Sequence, residues 1–123
     1  MLAARSSLTV ALAALAGALL AASPASAATR NCSVQRDAGT FGVTYVTSLK
    51  VTNTTCANGK KVIRAFTRCR KAHGGIKGRC PRTTRILGFR CRESRTAIAT
   101  QFSSRVVCTA GTRRVVFTYT QNT

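Results

Sequence analysis

Thr55-Cys56-Ala57-Asn58-Gly59-Lys60-Lys61-Val62-Ile63-Arg64-Ala65-Phe66-Thr67-Arg68-Cys69 reads as one amphipathic helix, and the rest of the chain arranges itself around it. Val62, Ile63, Phe66 and Cys69 recur at helical spacing, with Cys56 and Gly59 further back on the same stripe. Lys60, Arg64, Arg68 and Lys71 fall on the opposite, solvent side. Thr55 is placed to cap the helix N-terminus. Gly59 costs about 1 kcal/mol against alanine inside a helix, a cost that close packing on a sheet would explain. His73-Gly74-Gly75 ends the element, with the imidazole suited to the last turn and glycine to a left-handed cap.

The flanking segments alternate instead. Phe41, Val43, Tyr45, Leu49 and Val51 share one face of a predicted strand, and Leu87, Phe89 and Cys91 share one face of a second. Residues 105–109 and 114–120 flank a loop containing Gly111 and read as a hairpin, with Val106, Cys108, Val115, Phe117 and Tyr119 facing inward. Between these lie a basic loop over residues 74–84 and a polar connection over residues 93–104, in which Ile98 and Phe102 can dock. The expected fold is α+β: one helix packed on a small antiparallel sheet in the order β-α-β-β-β. Residues 28–39 read as an irregular N-terminal segment and residues 40–123 as a single domain.

The first residues read as an export signal. Arg5 precedes an apolar run from Leu8 to Ala22, Ser23-Pro24 breaks it, and Ala25-Ser26-Ala27 supplies the small residues of a cleavage site. The run falls short of the roughly 20 residues that span a bilayer. Cleavage after Ala27 makes residues 1–27 a signal peptide, leaves 96 residues and implies a secreted, extracellular or cell-surface location. All six cysteines lie beyond it: Cys32, Cys56, Cys69, Cys80, Cys91 and Cys108. An even number in a short exported chain reads as disulfides, and six allow 15 connectivities. Cys69–Cys80 is favoured as a local bridge that clips the basic loop to the helix end. Cys56–Cys91 and Cys91–Cys108 are both reasonable, and Cys32 takes the remaining partner. No C-x-x-C pair exists and His73 is the single histidine, so neither a metal site nor a cofactor is expected.

The chain holds 15 arginines and five lysines against two acids, Asp37 and Glu93. Arg5 is lost with the leader, so the mature net charge is near +17. Such a charge speeds encounter with polyanions and makes their binding steeply dependent on salt. Candidate contacts are Lys60, Arg64, Arg68 and Lys71 on the helix, Lys77, Arg79 and Arg82 in the loop, and Arg90, Arg92 and Arg105 on the strands. The predicted inward placement of Tyr45, Phe89, Phe117 and Tyr119 leaves no exposed stacking surface, so no specific nucleic-acid motif is read. Nor is any catalytic residue: two separated acids and one histidine give no paired carboxylates and no triad.

Cys56-Ala57-Asn58-Gly59-Lys60-Lys61-Val62, Gly88-Phe89-Arg90-Cys91 and the closing Cys108-Thr109-Ala110-Gly111 with Val115-Val116-Phe117 resemble a group of small secreted cysteine-containing proteins of high-GC actinobacteria. Those carry a C-A-T-A-R-x-V helix start, a G-[WF]-x-C strand and a C-x-x-G-x-x-x-V-x-F hairpin. The present chain departs at Asn58 and Gly59. The resemblance implies the fold and the extracellular setting and implies no activity. The expected function is a secreted, strongly basic, non-catalytic binding module that contacts an anionic surface or polymer, with no membrane span after signal removal. The alternatives are a secreted inhibitor, with residues 74–85 as its reactive loop, or an antimicrobial effector; a small hydrolase using His73 and Glu93 comes third.

Overall fold

The Thr55 hydroxyl accepts a hydrogen bond from the Asn58 backbone N–H at 3.1 Å and opens helix α1, Cys56–Ala72, in the computed structural model. The structure describes Gly17, residues 28–43 and residues 45–123; the expected leader, Gly17 apart, and its cleavage site after Ala27 lie outside the described residues. Among the described residues six strands accompany the helix: β1 (Thr29–Cys32), β2 (Tyr45–Thr52), β3 (Arg85–Ile86), β4 (Phe89–Ile98), β5 (Gln101–Ala110) and β6 (Arg113–Asn122). They form one curled antiparallel sheet in the order β1-β2-β6-β5-β4-β3. The fold class is therefore α+β, one helix on an antiparallel sheet, with three disulfides.

The helix buries Gly59, Val62, Ile63, Phe66, Thr67 and Arg70 against the sheet. Leu49 and Val51 of β2, Val106 and Cys108 of β5, and Val115, Phe117 and Tyr119 of β6 are buried in the same core. Phe66 sets its ring edge-on to Phe117 at 5.7 Å. At Gly59 the two layers approach closely. A Cβ there would stand 2.7 Å from Val51 Cγ1 and 3.2 Å from Leu49 Cδ1, so the sheet contact explains a glycine that helix propensity disfavours.

Three disulfides brace this frame. Cys32–Cys56 ties the end of β1 to the start of α1, Cys69–Cys80 ties the last turns of α1 to the following loop, and Cys91–Cys108 joins residues directly opposed across β4 and β5. The cross-strand bridge is thus realised and the alternative Cys56–Cys91 is not.

Several expectations are corrected. Residues 28–39 are not irregular: β1 pairs with β2, and a 3-10 turn runs over Gln35–Thr40. Four residues are too few to display a period, and the ladder of β2 supplies the order instead. Tyr45 does not face inward; it is 43 % exposed and Val46 is buried in its stead. The pairing of β2 with β6 slips between Val46 and Ser48, and one extra residue in a strand exchanges the faces of everything before it. The connection expected over 93–104 is in fact the middle of the β4–β5 hairpin, paired without interruption from Arg90–Thr109 to Ile98–Gln101. Leu87, expected inward, sits exposed in the turn between β3 and β4.

Candidate functional site

The sheet has two faces, and α1 covers one of them. Residues paired directly across an antiparallel ladder point to the same side, so the strand register maps the other face. One row across it is Arg85, Arg90, Thr109, Arg114, Thr52 and Thr29. Two residues further along lies Arg92, Val107, Val116, Lys50 and Asn31, and beyond that Ser94, Arg105, Thr118 and Ser48. Six cations from five strands therefore rise from one surface: Lys50, Arg85, Arg90, Arg92, Arg105 and Arg114. All six are exposed. Hydroxyls fill the spaces between them, and Thr118 links across the β2–β6 seam to Ser48 at 2.6 Å.

Two depressions mark this face. One of about 520 Å³ is lined by Thr29, Asn31, Lys50, Arg105, Arg114 and Thr118 among others. A second of about 740 Å³ is lined by Arg82, Arg90, Arg92, Thr109 and Arg114. Arg114 borders both, so they adjoin. The loop residue Arg82 joins the strand arginines in the second.

Neither acid reaches this surface. Asp37 forms an ion pair with Lys60 of α1. Glu93 points into the molecule, its side chain 7 % exposed, and pairs with Arg95, 9 % exposed. Its Oε1 also accepts from the Ser104 hydroxyl at 2.9 Å and from the Tyr119 hydroxyl. Burial pushes the Tyr119 phenol up to about 12, and its hydrogen bond to Glu93 adds to the shift. Arg70 is fully buried beside this cluster, 5.0 Å from the Tyr119 ring centroid, and donates to Gln121 Oε1 at 3.0 Å. Its guanidinium is pulled below the ordinary arginine range by desolvation.

The ten candidate cations separate into three places. Arg82, Arg90, Arg92 and Arg105 belong to the open face. Lys60, Arg64, Arg68 and Lys71 sit on α1, where Lys60 is neutralised by Asp37 and Arg64 lies 5.3 Å over the Phe41 ring. Lys77 and Arg79 stand at a groove that Arg95, Ile98, Phe102 and Thr123 complete. Lys50, Arg85 and Arg114 escaped the sequence reading, although Lys50 between Leu49 and Val51, and Arg114 before Val115, carry a local pattern that marks them as outward.

The loop after α1 is held from beneath. Arg70 donates to the Ile76 carbonyl, and Arg95 donates to those of Lys77 and Gly78. Gly78 leaves no room for a side chain, since a Cβ there would fall 2.1 Å from the Arg70 carbonyl oxygen. His73 closes α1, its Nδ1–H donating to the Cys69 carbonyl at 2.7 Å. No hydrogen bond or ion pair joins His73 to Glu93 among the described residues. Comparisons with protein-family models, with curated proteins and with solved structures give no match to this chain.

Proposed function

We propose that this protein is a secreted, non-catalytic module that binds an anionic polymer or surface through its open sheet face. One observation carries the reading: six exposed cations share a face from which both acids are turned away. Guanidinium groups suit phosphate, sulfate or carboxylate partners because their forked donors match planar or tetrahedral oxyanions. Hydroxyls between them add neutral donors. The three disulfides fit an oxidising compartment, and no helix among the described residues is long and apolar enough to cross a membrane.

Charge on a face, as opposed to charge in total, is what the test must separate. A triple variant, Arg90→Gln, Arg92→Gln and Arg114→Gln, is compared with Lys61→Gln, Arg68→Gln and Lys71→Gln, which removes the same charge from the helix side. Binding to heparin, used as a soluble polyanion, is followed across a salt series. The sheet variant is expected to lose roughly 10- to 100-fold in affinity near 0.15 M salt and to flatten the log–log salt slope by about 2–3. Equal losses in both variants, or wild-type retention indifferent to salt, would exclude the face as the binding site.

A second reading attaches to the loop over residues 74–85. Two guanidinium groups brace its carbonyls, a disulfide anchors it, and Lys77 and Arg79 are exposed on it. A loop so held suits inhibition of a protease that cuts after basic residues. Rapid cleavage at Lys77 or Arg79 by such proteases, with no inhibition, disposes of this reading.

A further inference from the structure

Strands β3 and β4 are joined by two residues, Leu87 and Gly88, between the paired Ile86 and Phe89. Both take positive φ, 49° and 85°, as a type I′ turn demands. Asn, Asp or Gly meets that demand at the first position; leucine meets it only with its Cβ crowded against the backbone. Nor does Leu87 serve the core, for it is 57 % exposed. Leucine adds little to the core from this point, and the chain displays a strained apolar side chain at a hairpin tip. Strain that folding does not use is a pointer to function.

The surroundings of the tip are cationic. Arg85 and Arg90 face each other immediately behind it. Arg82 lies in the same depression as Arg90. We infer that this hairpin is an interfacial anchor for an anionic lipid bilayer: Leu87 enters the boundary of the acyl chains while Arg82, Arg85 and Arg90 engage phosphate headgroups. The inference rests on the polyanion reading of the open face and names its partner as a lipid surface. Apolar insertion and attraction to anionic headgroups add, and neither alone gives firm attachment. A soluble polyanion offers no apolar phase to receive Leu87, whereas a bilayer offers both phases in the order in which the hairpin presents them.

The test uses the full disulfide-bonded protein, with vesicles of phosphatidylglycerol mixed with phosphatidylcholine, vesicles of phosphatidylcholine alone, and heparin. Leu87→Asn replaces the side chain with one that favours the left-handed turn, so its Tm is expected to equal or exceed that of the wild type. It is expected to weaken binding to the anionic vesicles by about tenfold or more while leaving heparin retention unchanged. Undiminished vesicle binding by Leu87→Asn overturns the anchor. The chain contains no tryptophan, so Leu87→Trp introduces a single fluorophore, expected to shift blue and to be quenched by brominated lipid. Ile98→Trp, at the opposite end of β4 and roughly 30 Å away, should stay unquenched. A quiet Trp at position 87 on bound protein also overturns the anchor. Wild-type protein that binds heparin but no anionic vesicle removes the lipid assignment and leaves the polyanion reading standing; protein that binds neither removes both.

Discussion

Glu93 accepts from three side chains inside the molecule, and its negative charge stands beside Arg70 and Arg95. Removing one member of a buried ionic cluster leaves the others desolvated and uncompensated. Glu93→Gln should therefore cost about 3–5 kcal/mol in urea unfolding, with a loosened 74–80 loop visible as faster amide exchange, because Arg95 both pairs with Glu93 and holds that loop. A cost below about 1 kcal/mol would show the cluster to be dispensable. Tyr119 gives the same region a pH signature. Its phenol titrates near 12 in the folded protein against about 10 in the unfolded chain. The unfolded state thus loses its proton first, and stability that is complete below pH 10 falls as pH climbs toward 12. The loss attributable to this group is about 2–3 kcal/mol. Tyr119→Phe should start less stable by about 1–2 kcal/mol and lack that alkaline decline; parallel pH profiles for the two proteins would contradict the assignment.

Among the elements, α1 was the most legible in sequence because cap, stripe, glycine and terminator all agree there. Gly59 gives the sharpest check on how it packs. Alanine at this position gains about 1 kcal/mol in helix propensity, yet its Cβ would press on Val51 and Leu49. Overpacking costs typically about 1–3 kcal/mol, so Gly59→Ala should be neutral to destabilising by about 2 kcal/mol in denaturant unfolding, and a clear gain would mean the layers are looser than they stand here. The strands were legible only where inward positions are apolar. In β4 the inward residues after Cys91 are Glu93 and Arg95, so the alternation that reveals a strand becomes polar on both sides. Its turn, Ala99-Thr100, carries no glycine, proline, asparagine or aspartate to announce it. The same charges that hide the strand build the buried cluster. The basic face was half visible for a related reason: outward arginines can be read from alternation, but that Arg85, Arg90 and Arg114 lie in one row depends on the ladder register, which no local pattern encodes.

At the scale of the whole molecule the excess of positive charge opposes folding. Screening lengths fall from about 30 Å at 0.01 M salt to about 8 Å at 0.15 M, so repulsion across a domain of this size is felt at low salt and largely lost at physiological salt. Adding sodium chloride over that range should raise Tm, by roughly 4–8 °C for each 1 kcal/mol of repulsion relieved. A Tm that falls or stays level would mean that the charges are already spaced widely enough to ignore one another. The covalent bridges resist this repulsion, and their order along the chain has its own consequence. They close segments of 24, 11 and 17 residues, and no segment encloses or overlaps another. The first cysteine pairs with the second, the third with the fourth and the fifth with the sixth. A polypeptide emerging N-terminus first presents both partners of each crosslink before the next pair comes into view, so oxidation in the order of emergence yields the native pairing.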